Sequence, residues 1–326
     1  MSTTRRPHRR ALAALSILAA GVLLLAAAAP AAAAAPTTYP HTSHGNRGVN
    51  VKALQHLLRH HGASIEVTAV FDNATVAALK TFQRAHGLPA TGDADHATWS
   101  RLIVRLEPGV TGEAVIAATR LLNEKRLTSL PHTGVYDAAV QRAVSTFQAH
   151  AKIGRTGVVG PVTWLKLLRH YELPVWGKTI CDYSVGNGAA NWGTASTIGQ
   201  LQAAAHVMVD AGYGRIPLGD IGLEHGGDIR GHQTHEKGLD VDIRPVRDGR
   251  DQCRWGTNWR YASYDRSATR ALVRAIRATA LGHVKLIYFN DPVLIREGLT
   301  TWYTGHDDHL HIRYCEKVYS VSAYDC

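Results

Sequence analysis

Apolar residues along this chain change their period near residue 172. Before it they recur every three or four positions. Val51, Leu54, Leu57 and Leu58 share one helical face. Asp72 stands where an N-cap is expected, and Val76, Leu79 and Phe82 follow at intervals of three. Gly87 to Gly92 is a turn-rich connection, and Thr98, Trp99 and Leu102 open a closing helix. The pattern predicts a small helical bundle.

The bundle is then repeated. Phe71-Asp72 matches Tyr136-Asp137, Phe82-Gln83 matches Phe147-Gln148, Thr91-Gly92 matches Thr156-Gly157, and Thr98-Trp99 matches Thr163-Trp164, all at an offset of 65 residues. Eight positions in one register mark an internal duplication. The aromatic residues lie on the apolar faces, which makes them core residues rather than ligand-stacking platforms.

Glu172-Leu-Pro174 reads as a linker, and beyond it helical and strand patterns mix. Thr197 to Asp210 predicts a helix with Ile198, Leu201, Ala205 and Met208 on one face and Gly212 as its stop. Ser267 to Ala280 predicts a second, carrying Leu272, Val273 and Ile276. Residues 239–243, 284–289 and 310–314 read as short strands. The expected architecture is two small all-α three-helix modules, residues 44–104 and 107–171, followed at 175–326 by an α+β domain with a small antiparallel sheet and helices on one side.

The N-terminus departs from this pattern. Arg5, Arg6, Arg9 and Arg10 precede an apolar run from Ala11 to Ala29, and small residues from Ala31 to Ala35 follow Pro30. That is the layout of a secretory signal peptide over residues 1–35, with a retained membrane anchor as the alternative. Its removal lowers the formal charge from +10 to +6. A moderately basic exported protein is drawn to polyanionic surfaces, a cell wall among them. No basic cluster interleaved with aromatics points to nucleic acid. The even set Cys181, Cys253, Cys315 and Cys326 suggests two disulfides in an exported chain. Proximity favours Cys181–Cys253 and Cys315–Cys326.

Candidate chemistry concentrates in two runs, His232 to Asp242 and His306 to His311. Neutral imidazole and ionised carboxylate are the usual protein ligands of a borderline cation such as Zn²⁺. On a strand, Asp240 and Asp242 share a face, and so do His309 and His311. His235 precedes Asp242 by seven residues, so a loop can deliver the imidazole and a strand the carboxylate. Asp240, Asp307 and Asp308 are candidates to hold imidazoles in the required tautomer. Glu224, His225 and Asp228, in the Gly-rich run 219–231, and the tryptophans 255, 259 and 302 are weaker candidates for substrate contact.

Two resemblances add to this reading. Gly48 and Val51 to Leu58, Phe71-Asp-x-x-Thr-x-x-Ala-Leu-x-x-Phe-Gln83 and Gly87-Leu-x-x-Thr-Gly-x-x-x-x-x-Thr-Trp99 resemble the peptidoglycan-binding-domain-1 family. The second copy departs before Tyr136, where Pro108 to Gly112 and Val115 stand in for the first helix start. His232-x-Thr-His-x-x-Gly-Leu-Asp-Val-Asp-Ile243, with His306-Asp-Asp-His-x-His-x-Arg313, resembles the penicillin-insensitive murein endopeptidases, although Thr234 and Glu236 replace the more usual Ser and Gln. That resemblance implies a zinc peptidase domain with His235, Asp242 and His311 as ligands and His309 and His306 as catalytic histidines. His232, Asp240 and Arg230 would be supporting positions. The implied activity is hydrolysis of peptide cross-links in peptidoglycan by a secreted, wall-associated enzyme that is not membrane-bound once the signal is removed. A D,D-carboxypeptidase or L,D-peptidase, or a non-catalytic zinc-containing wall-binding protein, is the alternative.

Overall fold

Three helices of the N-terminal half start where an aspartate supplies the cap. Asp72, Asp95 and Asp137 accept hydrogen bonds from the first-turn amides of α2 (Asn73–Ala85), α3 (His96–Leu102) and α5 (Ala138–His150). The first helices of the two repeats, α1 (Val49–His60) and α4 (Glu113–Arg126), instead follow Gly48 and Gly112, both at positive φ. The half closes with α6 (Pro161–Arg169). The protein is described by a computed structural model covering residues 1–2, 37–184 and 188–326, so the expected signal peptide lies outside the described residues. Thr37–Cys326 forms one compact unit.

The duplicated motif has a physical cause. Gln83 is buried, and its side-chain amide nitrogen donates to Thr91 Oγ1 (3.2 Å), the Asp93 carbonyl (2.9 Å) and Thr98 Oγ1 (3.0 Å). Its amide oxygen accepts from the Gly92 N–H (2.9 Å). Gln148 repeats this with Thr156, Val158, Thr163 and Gly157 at 3.2, 2.9, 3.0 and 2.9 Å. Trp99 and Trp164 are fully buried and donate to the carbonyls of Pro40 and Val104. The recurring residues therefore hold each helical unit together, as the sequence reading expected of the aromatics. The two repeats do not have separate interiors: α1 packs on α4, and one continuous apolar core runs through both.

The C-terminal half is the expected α+β arrangement. Its strands are β1 (Ile180–Asp182), β2 (Ile216–Leu218), β3 (Asp240–Ile243), β4 (Val284–Tyr288) and β5 (Leu310–Tyr314), and its helices are α7 (Ala195–Asp210), α8 (Arg266–Ala280) and α9 (Pro292–Arg296). The sheet order is β1-β2-β3-β5-β4. The sheet is mixed rather than wholly antiparallel, because the edge pair β1–β2 runs parallel. The α7 crossover between those two strands permits it. Helices α7 and α8 pack together and share one core with the sheet.

The pairing of β3 with β5 sets the two faces. Val241 faces Ile312 and Ile243 faces Leu310, all within the core, while Asp240 pairs with Arg313 and Asp242 with His311 on the opposite face. Disulfides join Cys181 to Cys253 and Cys315 to Cys326. Among the described residues no helix is long and apolar enough to cross a membrane.

Candidate metal centre and active site

Strand pairing places the Asp242 carboxylate beside the His311 imidazole, with Asp242 Oδ1 3.0 Å from His311 Nδ1. His235 reaches the same point from the loop before β3, its Nε2 lying 3.2 Å from His311 Nδ1 and 3.4 Å from Asp242 Oδ2. All three side chains are buried. The backbone of His235 is left-handed (φ 75°), a conformation costing a non-glycine residue about 1–3 kcal/mol. It is held by the His235 N–H donating to Asp240 Oδ2 (3.2 Å).

The tautomers follow from the outward contacts. His235 Nδ1 donates to the Ile221 carbonyl (3.1 Å), which leaves the Nε2 lone pair directed into the cluster. His311 Nε2 bonds Asp240 Oδ1 (3.0 Å), which leaves Nδ1 directed there. Asp240 is fully buried and also accepts from Arg313 Nε and the Tyr324 hydroxyl, each at 2.7 Å. Burial alone would raise the carboxyls of Asp240 and Asp242. The imidazoles of His311, beside both, and of His235, beside Asp242, outweigh it and hold each below the usual carboxylate range. Burial in turn disfavours a charged His311, but without a metal the two carboxylates push it up to about 9, so an entering cation must displace its Nδ1 proton.

The set fits a zinc ion. Tetrahedral coordination with bonds near 2.0–2.1 Å requires donor atoms about 3.3 Å apart, and His235 Nε2, Asp242 and His311 Nδ1 are separated by 3.0–3.4 Å. His232 is a fourth candidate donor. With His235 and Asp242 it forms a group whose ligand atoms lie within 4.8 Å of one another. Its Nε2 contacts Asp220 Oδ2 at 2.9 Å and its Nδ1 lies 3.8 Å from Asp242.

The remaining residues fall into two sets. His309 precedes β5 rather than lying on it, so strand alternation does not place it on a face with His311. A loop carries it instead, partly exposed, with Nδ1 bonded to Asp308 Oδ1 at 2.9 Å. The His306 ring lies 4.7 Å from that of His309 and 5.7 Å from that of His311. Its Nδ1 donates to the Thr304 carbonyl (2.9 Å), and burial lowers its pKa. Asp307, expected as a possible imidazole partner, anchors the loop by accepting from Arg260, Trp259 Nε1 and Asn290 Nδ2. Arg230 is exposed, and among the described residues its side chain makes no hydrogen bond or ion pair with the cluster. Glu224 turns towards the second helical repeat, pairing with Arg126 and His150. Trp255 and Trp302 are exposed, whereas Trp259 packs partly against the core.

Sequence reasoning missed the partners that lie far along the chain, namely Asp220, Tyr324 and the cleft residues. An open cleft of about 370 Å³ beside His309 is lined by Tyr183, Arg244, Thr257, Asn258 and Tyr261. The Arg244 guanidinium stacks 4.1 Å above the Tyr183 ring.

Comparison with known families bears on both halves. Residues 47–102 and 111–167 match the family described as "Putative peptidoglycan binding domain". Residues 172–289 match "Penicillin-insensitive murein endopeptidase". Two segments similar to a peptidoglycan-binding family thus precede one similar to a murein-endopeptidase family. That second match includes His232, His235, Asp240 and Asp242 and ends before the run 306–311, which joins the site through the β3–β5 pairing. A crystal structure of Burkholderia AP3 phage endolysin is similar at 27% identity, with 40% of this chain and 60% of that one covered and a TM-score of 0.20. None of the curated proteins matches.

Proposed function

We propose that the protein is a zinc metallopeptidase that hydrolyses peptide cross-links of peptidoglycan, a D,D-endopeptidase exported to the cell wall. The observation that carries this reading is the three-donor cluster with two imidazole tautomers fixed from behind, beside a partly exposed His309 at the edge of a cleft. Two disulfides agree with an extracytoplasmic location. The repeats at 47–102 and 111–167 would hold the enzyme on its polymeric substrate and raise the local concentration of scissile bonds.

His235, Asp242 and His311 would hold the ion, with His232 in reserve as a fourth donor. A bound Zn²⁺ supplies Lewis-acid polarisation of a carbonyl and acidification of water. The protein's own groups do the rest. His309 has its Nδ1–H committed to Asp308, so Nε2 is free to take a proton from the attacking water and return it to the leaving amine. His306 has its Nδ1–H committed to Thr304, so its neutral ring also offers an acceptor. It can therefore donate to a developing oxyanion only once protonated. Arg244 in the cleft is placed to bind a carboxylate of the stem peptide.

Purified sacculi provide the test. Cross-linked dimers should be converted to monomers, whereas release of terminal D-Ala alone would replace the endopeptidase with a carboxypeptidase. His309→Ala should lower turnover by about 10²–10⁴-fold while zinc content is retained. A fully active variant would remove His309 from its assigned role.

A further inference from the structure

A second histidine cluster lies away from the candidate active site, where the second helical repeat meets the Gly-rich loop. His150 ends α5, His170 follows α6, and Glu224 and His225 sit in the loop that runs on to His232. His150 Nε2 lies 3.2 Å from His170 Nε2 and 3.1 Å from Glu224 Oε1, and His170 Nε2 lies 3.6 Å from the same oxygen. His225 Nε2 is 4.0 Å from Glu224 Oε2. Arg126 also contacts Glu224 Oε1.

Two details set this group apart from an ordinary polar contact. Ligand atoms of His150, His170 and His225 lie within 4.8 Å of one another. The buried His170 donates Nδ1–H to the Tyr171 carbonyl (2.6 Å), so Nε2 presents a lone pair to the cluster, as a metal-binding imidazole does.

We infer that His150, His170 and His225, with Glu224 beside them, form a second, structural site for a borderline divalent cation, Zn²⁺ by preference. Three imidazoles suit that ion, and the Glu224 carboxylate beside them offsets its charge. The ion would clasp the end of the second wall-binding repeat to the loop leading into His232 and His235. The assignment is independent of the peptidase mechanism.

The experiment is a zinc titration of the metal-stripped full chain, with stoichiometry read by elemental analysis and near-UV circular dichroism as the folding control. Wild type should bind two equivalents, H150Q/H225Q one and H235Q/D242N one. In the H235Q/D242N background, zinc should also slow proteolysis within 223–231, and adding His225→Ala, at an exposed position, should abolish that protection. Stoichiometries of one, one and none would overturn the second site and leave the first standing. One, none and one would keep the second site and overturn the ligand assignment at the first. Two equivalents retained by H150Q/H225Q would also overturn the proposal.

Discussion

At the scale of single residues, Asp240 decides how well the candidate metal site is formed. It touches His311, Arg313, Tyr324 and the backbone of His235, so its two oxygens accept four hydrogen bonds. Asp240→Asn keeps the size but puts an amide N–H₂ where one pair of donors now points. The expected result is zinc affinity weakened by about 10–100-fold, measured by chelator competition. Unchanged affinity would reduce Asp240 to a partner of Arg313. The ligand candidates were legible in the sequence because His235 and Asp242 are close in the chain and His311 sits in a histidine-rich run. Tyr324 and Asp220 were not legible, because each meets its partner through folding and neither stands in a diagnostic spacing. His309 was found by its neighbours, but its place in a loop and its bond to Asp308 depend on where β5 begins.

At the scale of elements, long periodic helices and the apolar strands β4 and β5 could be read from pattern, since each presents several turns or alternations to a core. The three-residue strands β1 and β2 could not, because one alternation carries no periodic signal, and with them went the parallel edge pair. The repeat was visible as a spacing, but its cause is the hydrogen-bonding of Gln83 and Gln148. Gln148→Leu leaves the Gly157 N–H and the hydroxyls of Thr156 and Thr163 without that partner inside the second repeat. A loss of about 1–3 kcal/mol is expected in denaturant unfolding. Because the two repeats share one core, unfolding should remain a single transition for both repeats. Separate transitions for residues 47–102 and 111–167 would contradict the shared core.

At the scale of the whole molecule, the first repeat is seated directly on α7. A Cβ at Gly199 would lie 2.6 Å from Gly48 N and 2.7 Å from its Cα, both backbone atoms that cannot swing aside. Alanine is the better helix former by about 1 kcal/mol, yet the clash should win. Gly199→Ala is expected to destabilise the protein by about 1–3 kcal/mol, read as a lowered Tm. A raised Tm would mean that α1 and α7 are not in contact in solution.

The same junction holds a buried acid. Glu316 Oε2 accepts from Asn46 Nδ2 (3.0 Å), Asn46 also donates to Ser196 Oγ (2.6 Å), and His283 lies 4.0 Å from the carboxylate. Burial raises the Glu316 pKa to about 7, against the opposing effects of His283 and Asn46. A carboxyl whose folded pKa exceeds its unfolded value contributes its full stability below the unfolded pKa, near 4.3. That contribution is lost as pH rises through 7. Glu316→Gln keeps an acceptor for Asn46 and cannot ionise. Between pH 4.5 and 7.5 the wild type should therefore lose about 2–3 kcal/mol relative to the variant, measured by paired urea unfolding. Parallel pH profiles for the two proteins would show that this carboxyl is ionised and hydrated, and that the seat between the first repeat and the C-terminal domain is open to water.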